Sequence, residues 1–153
     1  VPGGEAWPYL FEAYYVRDPD PNDAQDVPVL ARKVLSWNGA AMDVVTEELV
    51  EGVEDLRLRL GIDDDNNNEI DTYVNVAGIT NEDDWTQRVG VVEVYLLVRS
   101  TTKDPAYTDT KTYRLGGNEV TPTGNAQRYP PEYHRLLVST QTALRNPQLA
   151  LRR

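Results

Sequence analysis

The sequence predicts an α+β domain of mainly antiparallel β character with one short helical turn. Three observations lead there. Several segments of about ten residues alternate apolar and polar side chains or are rich in β-branched and aromatic residues. Clusters of Pro, Gly, Asp and Asn separate them. A single stretch places its apolar residues at helical spacing. With 153 residues, 40% of them hydrophobic and 26% charged, the chain is expected to form one domain over residues 1–153, despite its ten prolines and ten glycines.

Residues 9–17, YLFEAYYVR, read as a strand that the turn formers DPDPND bring to an end. Pro21 and Pro28 bracket the next apolar segment, VPVLARKVLSW, where Val27, Val29, Val34 and Leu35 favour a strand. TEELVEGVEDLRLRLGI, residues 46–62, changes period midway. Thr46 is placed to cap a short helix, Glu47 and Glu48 lie in its first turn, and Leu49, Val53 and Leu56 recur at helical spacing. From Leu56 the period becomes two, with Leu56, Leu58 and Leu60 alternating with Arg57, Arg59 and Gly61 as in a strand with one buried face. The acids Glu47, Glu48, Glu51, Glu54 and Asp55 read as a solvated helix face. RVGVVEVYLLVRS, residues 88–100, is the longest β signal and is expected to be central, with Val92, Val94, Leu96 and Val98 on one face. KTYRLGGNEVT reads as a hairpin turning at Gly116 and Gly117, TPTGNAQRYPPEY as a loop, and YHRLLVSTQTALRN as a last strand that Pro147 interrupts.

Charge and composition exclude several functions. A formal net charge of −10 disfavours recognition of nucleic acid or of an anionic bilayer through a basic patch. The absence of cysteine removes thiolate chemistry and cysteine-ligated zinc. No run approaches the roughly 18 apolar residues of a membrane span. The start VPGGEAWPYL has neither a basic region nor a methionine, so a fragment of a longer precursor is expected. No nucleophile elbow, P-loop or dinucleotide fingerprint occurs. His134, the lone histidine, reads as a structural or exposed residue of a strand, and carboxylate pairs carry no signal among 25 acids. The expectation is that the protein is not an enzyme. Trp7, Tyr9, Phe11, Tyr14, Tyr15 and Trp37 offer a sugar-binding face as one reading, but aromatics at alternate strand positions are more usually core.

In YYVRD followed by VPVLARKVL, in EELVEGVEDLRLRLGIDDDNNNEIDTYV, and in WTQRVGVVEVYLLVRS with the closing TALRN, the chain resembles the PilW-type minor pilins of type IV pili. More distantly it resembles the J-type minor pseudopilins of type II secretion. The resemblance runs from residue 9 to about 147, in order. It implies a pilin-like globular head, mainly β, that follows a long apolar N-terminal helix. In such proteins that helix anchors the subunit in the inner membrane and later packs in the filament core, leaving the head outside. The helix is absent from these 153 residues, so any membrane attachment would run through it alone. The implied function is pilus biogenesis in a priming or tip complex, with other minor pilins and the major pilin as partners. Twitching, adhesion and DNA uptake are not told apart.

One peptide asks for a separate reading. GIDDDNNNEID gathers oxygens at loop spacing: Asp63, Asp65 and Asn67 fall at positions 1, 3 and 5 of a calcium loop, Glu69 offers its carbonyl, and Asp71 stands at position 9. Asn68 takes the glycine position and Ile70 serves as an apolar anchor. Position 12 would be Val74, which has no carboxylate, so any site must borrow an oxygen from elsewhere, with Glu82, Asp83 and Asp84 as the candidates in sequence. In the resembling pilins the loop often reads D-x-D-G-D-G, and both glycines are asparagine here. The competing reading is an Asx-rich turn that satisfies its own backbone without metal. Both remain open, and calcium is the sole cofactor to consider. A free-standing calcium-dependent adhesion or carbohydrate-binding module is the alternative to the pilus role.

Overall fold

The computed structural model describes residues 10–20, 22–23, 26–65, 67, 69–80, 85 and 88–144. Trp7, Tyr9, Asn68, Glu82, Asp83, Asp84, Pro147 and the end of the closing TALRN lie outside the described residues. The chain divides into two compact units, Val1–Val53 and Glu54–Arg153.

The first unit holds an antiparallel sheet in the order β1-β2-β3, from β1 (Glu12–Arg17), β2 (Val29–Trp37) and β3 (Met42–Glu51). β1 and β2 follow the aromatic and β-branched runs of the sequence. Asn38 and Gly39 build the β2–β3 turn. Gly39 takes φ +98°, and the Asn38 carboxamide oxygen accepts bonds from the Ala40 and Ala41 amides at 3.0 Å each.

β3 corrects the expected helical turn at Thr46. Leu30 pairs with Val50 but Ala31 with Glu48, so Leu49 is an extra residue in a β-bulge. A turn residue in the left-handed region follows at Gly52, with φ +82°. A bulge followed by a turn placed Leu49, Val53 and Leu56 four and three residues apart, which imitates a helix. Glu47 and Glu48 therefore meet cations across the sheet instead of a helix dipole, at Arg32 (2.8 Å) and Arg17 (3.2 Å).

The second unit carries a sheet in the order β5-β4-β6-β9, from β4 (Val53–Ile62), β5 (Thr72–Asn75), β6 (Val89–Arg99) and β9 (Arg135–Ala143), and the hairpin of β7 (Tyr113–Leu115) with β8 (Asn118–Val120). β6 is central, as its length suggested, and β9 runs antiparallel beside it from Val91↔Ala143 to Arg99↔Arg135. Gly116 and Gly117 make the β7–β8 turn with φ of +58° and +89°. Among the described residues the helical structure is limited to short turns, including 3-10 turns at Val76–Gly78 and Pro122–Gly124, and no helix is long and apolar enough to cross a membrane.

The core settles one point the sequence left undecided and differs from its sequence reading in two places. Leu97, on the β6 face opposite Val92, Val94, Leu96 and Val98, is fully buried with Leu115, Tyr113, Val120 and Tyr129. Those four residues, read from the sequence as one face of the strand, are half-buried. Leu60 and Ile62 pack with Val89, whereas Leu58 of the same alternation is exposed. Phe11, Tyr14 and Trp37 are exposed, Trp37 to 61%, so these aromatics are not core.

Candidate functional site

The acidic peptide closes the β4–β5 hairpin. The ladder runs from Arg59↔Asn75 to Ile62↔Thr72, and the Asp71 amide extends it by donating to the Ile62 carbonyl at 2.9 Å. The Asp63 amide donates to the Arg88 carbonyl at 2.9 Å, which pins the start of the loop beside β6. Gly61 explains the tight base of the hairpin. A Cβ there would stand 3.0 Å from Ile70 Cγ2, 3.1 Å from Val91 Cβ and 3.2 Å from the Tyr73 ring. Ile70 thus packs inward under the loop.

Carboxylate oxygens of Asp63, Asp65 and Asp71 lie within 4.8 Å of one another. Asp63 is buried, and the other two face solvent. The same peptide is also an Asx turn. The Asn67 amide donates to Asp63 Oδ1 (3.1 Å) and Asp65 Oδ1 (3.2 Å), and the Glu69 amide to Asn67 Oδ1 (2.7 Å). The Asp64 amide donates to Asp71 Oδ2 at 2.7 Å, while the Asp64 carboxylate pairs with Arg88. Of the five residues singled out in the sequence, three bring carboxylates together. Asn67 and the Glu69 amide bond the loop to itself. Val74 lies in β5 opposite Leu60 and offers no ligand.

Sequence reasoning missed a second constellation. Glu54 and Asp55 form part of a buried ionic network rather than a solvated helix face: they are 4% and 5% exposed. The Arg135 side chain, itself fully enclosed, forks onto Glu54 through Nε and Nη2, reaches Asp109 Oδ2 at 3.3 Å, and donates to the Tyr133 and Pro130 carbonyls at 3.2 and 2.7 Å. The Tyr113 hydroxyl donates to Asp109 at 2.9 Å, and the Tyr129 hydroxyl to Asp55 at 2.8 Å. Arg99, opposite Arg135 in the β6–β9 ladder, stacks on the Tyr133 ring at 3.9 Å.

Burial pushes the Glu54 carboxyl above its ordinary pKa, against the pull of Arg135 and Arg99. Burial acts upward on Asp109 as well. There the bonds from Tyr113, the Lys111 amide and Arg135 outweigh it and hold the group below its usual range. Arg135 thus ties Glu54 of β4 to Asp109 and to the carbonyls ahead of β9.

His134 stands just ahead of β9 rather than within it. It is exposed, stacked on Tyr107 at 3.9 Å between centroids, with Nε2 at 3.0 Å from Asp104 Oδ2.

The β-rich architecture and the hairpin with its acid loop agree in order with the landmarks of the resemblance. The family model for the type IV pilus-assembly protein W matches residues 13–146. The chain belongs to that family. No curated protein and no solved structure matches it. The PilW family is one of pilus assembly, not of enzymes, and membership implies interaction with other pilus components and a location in the envelope or outside the cell.

Proposed function

We propose that this PilW-family chain is the globular head of a minor pilin and that it works in pilus biogenesis, in a priming or tip complex, through head-to-head protein contacts. The observation that carries this reading is the family match over residues 13–146. The surface agrees with docking: Tyr14, Trp37, Met42 and Val50 of the first unit are all half exposed or more. Before assembly the head would face the periplasm on an inner-membrane anchor, and afterwards it would lie outside the cell in the pilus. Its partners would be other minor pilins and the major pilin. Co-purification from envelopes is the test. An affinity-tagged, helix-bearing version is expected to bring other pilins of the same system with it, and failure of both that version and the head to do so overturns the reading.

A second reading concerns the loop of residues 63–71, where the convergence of Asp63, Asp65 and Asp71 favours a calcium ion. Calcium would order the loop and stiffen the head rather than take part in a reaction. An ion held at a Kd of about 1 mM, as in extracellular modules, stabilises the fold by about 1.4 kcal/mol at about 10 mM calcium. Chelator-treated protein is therefore expected to gain about 3–6 °C in Tm on adding calcium. The Asp63→Asn/Asp65→Asn variant is expected to lose that gain. Absence of both binding heat and a Tm change at millimolar calcium, or a gain that persists in the variant, removes the ion from the account. A glycan array repeated with chelator separates the pilin role from a calcium-dependent carbohydrate-binding module, which alone would show chelator-sensitive glycan binding.

A further inference from the structure

The strand β3 is an edge strand, and every one of its residues is exposed. Among the described residues no strand pairs with its outer side. The turn fixes which backbone groups face outward. The Asn38 amide donates to the Ala41 carbonyl at 3.0 Å, which makes Asn38 and Ala41 a hydrogen-bonded pair. Pairs alternate along an antiparallel ladder, so Trp37↔Met42, Leu35↔Val44, Lys33↔Thr46 and Ala31↔Glu48 are the pairs without mutual bonds. The N–H and C=O groups of Met42, Val44, Thr46 and Glu48 therefore point away from β2. An independent contact agrees: the Val44 amide donates to the Asp43 carboxylate at 2.8 Å instead of to β2.

This edge has little of the protection that natural sheets use. Met42–Glu51 contains no lysine and no proline, and its one bulge, at Leu49, leaves Met42–Glu48 regular. β-branched Val44, Val45 and Thr46 occupy the middle of that run. What β3 does carry is negative charge, in Asp43, Glu47, Glu48 and Glu51, with no basic residue of its own. Glu47 and Glu48 lean toward Arg32 and Arg17, while Asp43 and Glu51 meet no cation among the described residues. A second copy suits this edge poorly, since self-pairing brings two strands of four acids each together with no basic residue on either.

We infer that the outer edge of β3 is a docking site for an extended, lysine- or arginine-bearing segment of another protein, which adds to the sheet as a fourth strand. Backbone bonds to Met42, Thr46, Glu48 and the Val44 carbonyl would supply the pairing, and the carboxylates on both faces would select a basic partner. The inference rests on the docking role proposed above and names the surface that performs it.

The test uses a fluorescent peptide of paired lysines alternating with paired valines, matched in length to β3, and a control with glutamate for lysine. The lysine peptide is expected to bind and to slow amide hydrogen exchange at Met42, Thr46 and Glu48, and the glutamate peptide is not. Thr46→Pro removes a central outward donor without touching the β2 ladder, and is expected to weaken binding at least about tenfold. Asp43→Asn/Glu51→Gln keeps the shape and the bond to the Val44 amide, and is expected to weaken it several-fold. If Thr46→Pro does not fold, the exchange map and the charge variant decide. No binding of the lysine peptide at millimolar concentration, protection elsewhere than β3, or affinity unchanged in the variants overturns the inference. Co-purification separates the two levels. A helix-bearing Thr46→Pro or charge variant that still brings down other pilins sinks the β3 edge alone, whereas a wild-type head and helix-bearing version that both bring down none sink the pilin role.

Discussion

Arg135→Ala is expected to lower the stability of the protein by about 3–5 kcal/mol, because it leaves Glu54 and Asp109 charged and enclosed without their cation. Against a total of about 5–15 kcal/mol for an ordinary domain, a loss of that size brings the fold close to its limit. The pH dependence separates this cause from lost packing. Arg135 is one of the groups that hold the Glu54 pKa down against burial, so its removal moves an already raised pKa further up. A carboxyl whose folded-state pKa exceeds its unfolded value binds a proton more tightly when folded, so stability rises as pH falls through that pKa. The deficit of the variant is accordingly expected to be smaller at pH 5 than at pH 8. Urea unfolding of both proteins at the two pH values checks it. A loss below about 1 kcal/mol, or an equal deficit at both, would show that the network is not held by this arginine. Pairing Arg135→Met with Glu54→Leu is expected to recover part of the loss, since Asp109, which Tyr113 still bonds, is then the one carboxylate left facing the missing guanidinium.

Leu97→Ala is the second large effect. Its side chain is fully buried among Leu115, Tyr113, Val120 and Tyr129, with Tyr95 and Leu137 at the margin. Truncation of such a leucine costs about 2–5 kcal/mol, more where the walls cannot relax into the cavity. The walls here are tethered: Tyr113 is bonded to Asp109 and Tyr129 to Asp55. The upper half of that range is therefore expected. Its neighbour Leu96, one of the four apolar residues that alternate along the strand, is half-buried on the other face of β6, and Leu96→Ala is expected to cost about 1 kcal/mol. Thermal or urea melts of the pair give the comparison. Equal losses would mean that the two faces of β6 are equally packed.

The acid loop was legible because its carboxylates are local. A hairpin loop keeps Asp63, Asp65 and Asp71 within one turn of chain, so spacing alone forecast which carboxylates meet. Whether a further oxygen joins them was not legible, since that depends on residues from elsewhere in the fold. The β3 hairpin was missed although Asn38-Gly39 is a strong turn signal. The following TEELVEGVEDL imitated a helix once a bulge and a glycine turn shifted its period.

By itself the sequence determined the strands written in period two, the glycine turns at 116 and 117, the central place of β6 and the family, because each of these is encoded by neighbours in the chain. Only the tertiary structure decided which face of β6 is the core and what becomes of the acids at 54 and 55. Alternation says that two faces differ but not which one another element covers. Whether a carboxylate is solvated or enclosed depends on a partner that Glu54 finds 81 residues away, in Arg135. No local pattern carries that pairing.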